Sequence, residues 1–183
     1  VFKVSTAGVR TRVVSFTGMA GAAPGARPRG PLVLAADGHF YGVTEEGGTS
    51  NAGVLFKLTS AGAYSVMVHF SGTGPRSPQG GLVAGVDGAL YGTTSLGGAA
   101  DAGTLIRFDP TTSTWSTAGE FAGIAGPVPG RLPGGELHVA ADGAIYGITL
   151  AGGAADLGTL FRYTGAGGLE GLLAFTGSGG AAP

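Results

Sequence analysis

Cysteine is absent from the 183 residues, so neither a disulfide framework nor a thiolate metal site is available to this chain. Charge is scarce too: Asp, Glu, Lys and Arg make up only 11% of it, less than half the share in an ordinary soluble domain. The two signs nearly cancel, at a formal −1, which leaves no field to attract nucleic acid or an anionic membrane surface. No apolar run approaches the roughly 20 residues of a membrane-spanning helix, and no secretory leader is recognisable. The first residue is Val1 rather than methionine, and Val1-Phe2-Lys3 matches the middle of a motif that recurs downstream. The chain therefore reads as processed, or as a piece of a longer one.

What is abundant is glycine, 39 residues of the total. It follows no strict third-residue period, which excludes collagen, and 43% apolar residues argue against simple disorder. A chain of short hydrophobic strands separated by many tight turns satisfies both facts. The segment Leu82–Phe121 is the clearest example. Two short apolar runs flank an Asp-Gly turn, a double glycine follows, and two further runs are joined by a polar turn. Period-2 alternation and turn chemistry make this four antiparallel strands.

The rest of the chain repeats that unit. Asp-Gly-x-apolar-Tyr-Gly recurs at Asp37–Gly42, Asp87–Gly92 and Asp142–Gly147, followed each time by a double glycine. Gly-[Val/Thr]-Leu-[Phe/Ile]-[Lys/Arg] recurs at Gly53–Lys57, Gly103–Arg107 and Gly158–Arg162, and Phe16, Phe70, Phe121 and Phe175 close successive units. We divide the chain into a half unit, 1–24, and units 25–74, 75–125 and 126–183, forming one repeat domain. Within a unit, strand A starts at Leu32, Leu82 or Leu137, strand B carries the tyrosine, strand C follows the double glycine and strand D ends at the phenylalanine. The D–A connections are proline-rich, and proline is expected to keep them free of strand. The glycines of strand B and the double glycine are expected where backbones crowd near a central axis. The tyrosines, and likewise the closing phenylalanines, are expected in equivalent, mostly buried positions. Such four-stranded meanders at this period predict an all-β fold, a β-propeller-like repeat of about three and a half blades, with essentially no helix. A parallel β-helix, the main competitor, has much shorter rungs.

The succession D-G-x-L-Y-G-T-T, G-G, G-T-L-F-[KR]-[LF] and a run ending in F-[ST]-G resembles the Gloeo/Verruco (GloVer) tandem repeat family of bacterial proteins, over essentially the whole chain. The resemblance implies a surface or exported protein, often carried with a sorting or anchoring tail, and no known enzymatic activity. A looser, architectural similarity is to kelch blades, through the double glycine and the Phe108–Trp115 spacing. Only one unit has the tryptophan; Tyr64 lies nearby in the one before, and Val9 and Leu169 in the first and last. The half unit offers strands C and D alone, and its open edge is expected to pair with a neighbouring chain.

Acid, base and metal vocabulary is thin. His39, His69 and His138 fall in different registers, strands B, D and A of separate units, which does not favour a shared metal site. Asp37, Asp87 and Asp142 recur, but aspartate before glycine is what a tight turn uses. Glu45-Glu46, Asp101 and Asp156 sit in the B–C loops without the ligand spacing of a calcium loop. No glycine motif carries a phosphate-binding Lys-Ser/Thr, and no serine sits in a nucleophile elbow. Trp115 reads either as a sugar-stacking platform or as packing at a blade edge. Arginine recurs in each D–A stretch, at Arg27 and Arg29, Arg76, and Arg131, on the face where the B–C loops also emerge. These arginines make either a binding face or soluble proline loops. No cofactor is implied. Three functions are open: an extracellular or cell-surface binding or adhesion module for polysaccharide or a surface protein; a subunit of an extracellular filament or sheath; and a propeller-type polysaccharide-active enzyme.

Overall fold

The structure, a computed structural model, describes residues 1–72 and 74–177. Among these residues it is all β, with no helix. A two-stranded sheet pairs β1 (Phe2–Val4) with β2 (Arg10–Arg12). Next comes a four-stranded meander, β3 (Ala26–Leu34), β4 (Phe40–Glu46), β5 (Val54–Leu58) and β6 (Tyr64–His69). In the third sheet strand A is split into β7 (Arg76–Pro78) and β8 (Val83–Ala84), both paired to β9 (Leu90–Leu96), which is followed by β10 (Thr104–Asp109) and β11 (Thr114–Glu120). The last sheet is β12 (Arg131–Val139), β13 (Ile145–Ala151), β14 (Thr159–Thr164) and β15 (Gly168–Ala174). All pairings are antiparallel, giving three complete blades and a half blade. Residues 178–183, assigned to the last unit, lie outside the described residues.

Strand C explains how the blades stack. Its side chains alternate faces, and both faces are covered. Ile106 and Phe108 pack on Tyr41 and Phe70 of the preceding blade, while Leu105 packs with Leu137 and Phe161 of the following one. A strand sandwiched in this way reads as a nearly continuous apolar run, as Thr104–Phe108 does. Ring contacts cross each interface: Phe16 on Phe56, Tyr41 on Phe108, Phe70 on Trp115, Tyr91 on Tyr163 and Phe121 on Phe161.

Burial of the recurring aromatics follows from this stacking. Tyr41, Tyr91, Phe70 and Phe121 are buried as expected, but Tyr146, Phe16 and Phe175 are only half-buried. Tyr146 and Phe175 face outward from the last blade, and Phe16 lies beyond β2, outside the two-stranded sheet.

Five expectations need correction. Strand A runs through the proline stretch, with Pro28 opposite Thr44, Pro78 opposite Thr94 and Pro133 opposite Thr149. It is an edge strand, where proline's missing donor breaks no ladder, and a register shift or break beyond these prolines absorbs the irregularity. Glu45 and Glu46 consequently close β4 rather than lying in a loop, and His39 immediately precedes β4. The register partner of Tyr64 and Trp115 in the half blade is Arg10, opposite Val4, not Val9.

The fifth correction concerns glycine. A methyl on Gly42 of strand B would sit 2.7 Å from Phe56 Cζ and 2.8 Å from Leu32 of the same blade. Strand B glycine thus makes room for a ring beside it. The crowding between first strands belongs instead to Gly30 against Gly81 and Gly80 against Gly135.

Candidate functional site

The B–C and D–A connections emerge at the same end of every blade, as antiparallel order requires. Each B–C loop is closed by one side chain at a shared register. Asn51, Asp101 and Asp156 all have positive φ, 53°, 51° and 56°, a conformation that Asn and Asp tolerate better than other non-glycine residues. Their Oδ1 atoms accept from the Gly47, Gly97 and Gly152 amides at 2.9, 2.8 and 2.7 Å. Asp101 and Asp156 are therefore loop-closing groups, not merely solvated acids. The signal was in the sequence: Gly-Gly-x-x-[Asn/Asp]-x-Gly recurs at Gly47–Gly53, Gly97–Gly103 and Gly152–Gly158.

The arginines clamp this end of each blade. Arg131 meets Asp156 with two parallel bonds of 2.9 and 2.6 Å, and Arg76 reaches Asp101 at 2.6 Å. In the first complete blade, where asparagine closes the loop, Arg29 donates twice to Glu45, at 2.9 and 2.6 Å, and Arg27 pairs with Glu46 at 3.1 Å. Glu45 also accepts from Gln79 of the next blade at 2.8 Å. Only Arg76 and Arg131 share a register; Ala26 occupies it in the first complete blade. The Gly97 amide and then Arg76 hold the Asp101 carboxyl below the usual range, and Arg131 followed by the Gly152 amide does the same for Asp156.

The opposite end carries a second recurrent group. Asp37, Asp87 and Asp142 accept from the amide two residues on, at 3.1, 3.2 and 3.0 Å, so each serves its turn. Asp37 and Asp87 also accept from the hydroxyls of Tyr41 (2.8 Å) and Tyr91 (3.0 Å), and Arg107 donates to Asp87 at 2.9 Å. Burial pushes the Asp87 carboxyl up, but the bonds from Arg107, the Ala89 amide and Tyr91 hold it below its ordinary value. Burial raises the Tyr91 phenol to about 12.

Trp115 is the second residue of β11, beside the Asp109–Thr114 hairpin at the end of the blade away from the arginine clamps. It is 42% exposed and stands edge-on to Phe70 at 6.0 Å. The arginines and the tryptophan are thus not brought together. His39, His69 and His138 stay apart, and the described residues hold no group of three or more His, Asp or Glu that could bind a metal. Among them, no helix is long and apolar enough to cross a membrane.

The model of the Gloeobacter/Verrucomicrobia repeat family matches residues 1–183. No curated protein sequence matches significantly. Several solved β-propeller-type structures share the fold. A streptogramin B lyase aligns with a TM-score of 0.58 at 14% identity, over 97% of this chain and 48% of its own. Virginiamycin B lyase from Staphylococcus aureus aligns with 0.58 at 16%, over 97% and 49%. TolB from Acinetobacter baumannii aligns with 0.54 at 17%, over 93% and 36%. The chain thus spans about half the length of these lyases.

Proposed function

This chain belongs to the Gloeobacter/Verrucomicrobia repeat family, and on that premise we propose that it is a non-enzymatic, cell-surface or exported binding module whose ligand is polysaccharide. The observation that carries this reading is the repeated clamp at one end of the blades, built from Arg29 with Glu45, Arg76 with Asp101 and Arg131 with Asp156. Asp101 and Asp156 are placed by their closed loops and Glu45 by the end of β4, and each pair is partly open to solvent. A guanidinium has five donors, of which Arg29 and Arg131 direct two at their carboxylates and Arg76 one. The remaining donors and the second lone pairs of the carboxylates suit hydroxyl-rich ligands. Because every arginine is balanced by an acid, the face favours a neutral polymer over an anionic one.

Retention on insoluble cellulose, chitin and peptidoglycan tests this reading. The wild-type chain should be retained on at least one matrix, and Arg76→Gln with Arg131→Gln should release it while the unfolding midpoint holds. Retention by none, or retention unchanged in the double variant, overturns it. The second reading, a filament or sheath subunit, draws on the apolar faces at the two ends of the blade row, where Phe2, Val4, Leu172 and Leu173 are all exposed. Sedimentation separates the two, since a binding module has a fixed mass and a filament does not.

A further inference from the structure

A groove of about 460 Å³ lies between the two-stranded sheet and the first complete blade. Among its lining residues are Phe2 and Lys3 of β1 and, facing them, Leu32, Phe40 and Leu58. These last three occupy the registers of Leu82, Leu90 and Phe108, and of Leu137, Ile145 and Tyr163. In those two places the registers form a seat for a strand B tyrosine. Tyr41 packs on Phe108 with ring centroids 5.6 Å apart, and Tyr91 on Tyr163 at 5.5 Å. The seat beside β1 has the same apolar composition and is open at Leu32 and the half-buried Phe40, while Leu58 is already buried. Leu32 is 36% exposed, against 4% for Leu82 and 8% for Leu137.

The edge of β1 adds a register. In each complete blade the strand B tyrosine lies opposite the strand C cation, Tyr41 with Lys57, Tyr91 with Arg107 and Tyr146 with Arg162. The following glycine lies opposite an apolar residue, as Gly42 does with Phe56 and Gly147 with Phe161, and the aromatic ring fits only because no side chain is there. β1 repeats this order, Phe2 then Lys3. Phe2 is 60% exposed, and among the described residues Lys3 has no ion-pair partner. Its register counterpart Arg107 holds the turn aspartate Asp87.

We propose that this groove is a binding site for a β-hairpin carrying Asp-Gly-x-apolar-Tyr-Gly, added antiparallel to the free edge of β1. Tyrosine falls opposite Lys3, glycine under the Phe2 ring, and the turn aspartate within reach of the Lys3 ammonium. The tyrosine ring fills the seat formed by Leu32, Phe40 and Leu58. The occupant must have its own strand B edge free. A second folded copy of this chain does not meet that condition, because β4, β9 and β13 are each already paired on both sides. The partner is therefore a hairpin of the same repeat type whose strand B edge is unpaired. This site is distinct from the arginine clamps and stands or falls without them.

The test titrates the 183-residue chain with a synthetic peptide of the Leu82–Leu96 sequence, flanked by lysines for solubility. Calorimetry should give saturable one-to-one binding, and hydrogen exchange should slow at the Phe2, Lys3 and Val4 amides. Peptides carrying Tyr91→Ala or Gly92→Val should bind at least about tenfold more weakly. The chain variant Lys3→Glu, at an exposed and unpaired position, should keep its fold and also weaken binding. No saturable binding up to about 1 mM, equal affinity for the variant peptides, or a dimer already protecting Phe2–Val4 without peptide would each overturn the assignment.

Discussion

Replacing Phe70 by alanine examines the blade interface at its most enclosed point. Phe70 is 1% exposed, shares a cluster with Ile106 and Phe108 of the next blade, and meets Trp115 edge-on at 6.0 Å. Returning a buried phenylalanine to water costs roughly 2–3 kcal/mol, and the ring pair adds about 0.5–1.5 kcal/mol. With a partly relaxed cavity the total falls at about 3–5 kcal/mol. Phe175 is the same residue in the same register, hydrogen-bonded alike to its double-glycine loop: the Phe70 amide donates to Gly53 and the Phe175 amide to Gly158. Yet Phe175 is only half-buried and makes no ring contact among the described residues. Its loss to alanine should cost about 1–1.5 kcal/mol, half the transfer value.

Urea titration followed by far-UV circular dichroism reads both variants, with slopes compared to confirm that the same surface unfolds. Trp115 fluorescence is an internal reporter, since only Phe70→Ala uncovers its ring and should shift its emission to the red. A loss below about 1 kcal/mol at Phe70, outside the range for an enclosed phenylalanine, would refute the interface. Equal losses at the two positions would refute the claim that the following blade, rather than the phenylalanine's own sheet, supplies the stabilisation.

Asp101→Asn should retain the bond to the Gly97 amide, as Asn51 does in its loop, and change stability near pH 7 by no more than about 1 kcal/mol, as expected for an exposed pair. The Asp101 carboxyl is held below its ordinary value, so its stabilisation is complete above the unfolded value near 3.9 and disappears as pH falls through the lower folded one. Melting temperature should therefore drop on acidification from pH 5 towards 2, less steeply in the variant; parallel curves would dismiss the contribution. Gly42→Ala should destabilise by about 1–3 kcal/mol because its methyl meets Phe56 and Leu32, whereas Gly8→Ala, with open space and only a strained φ of 79°, should cost about 1 kcal/mol. Calorimetric melting curves rank them, and a neutral Gly42→Ala would mean that the ring does not lie over strand B.

The repeat was legible because each of its signals is local. Asp-Gly and the double glycine mark turns, and the tyrosine and phenylalanine registers fix where each strand lies. Strand A was legible only in part. Pro28, Pro78 and Pro133 argue against strand, and nothing nearby in sequence says that they lie on an edge whose missing donor is harmless. In the sequence the arginines form one recurring feature, whereas in the fold Arg76 and Arg131 share a register that Arg29 does not. That distinction depends on which residue each strand pairs with. The loop-closing role of Asp101 and Asp156 was accessible from the shared spacing with Asn51. It is obscured when only charged residues are compared, because the chemistry there needs an acceptor oxygen and not a charge.

The low charge also has a structural source. The inner C strands, β5 and β10, are covered on both faces by neighbouring blades, so positions that would be polar in an open antiparallel sheet are apolar there. Scarcity of charge is therefore a consequence of blade stacking and is not in itself a sign of self-assembly. The sign lies in the end faces. Stacked-repeat proteins that stop in solvent usually place polar residues on the outer face of the last unit. Here Leu150, Leu172 and Leu173 are exposed at one end, and Phe2, Val4 and Val9 at the other, at 44–62%. Phe2 and Val4 share the registers of the buried Phe56 and Leu58, and Leu173 that of the buried Val68. Both faces thus keep the chemistry of an interface, and on the β1 side that chemistry extends to a specific register, a cation without an ion-pair partner among the described residues and a seat for one aromatic ring.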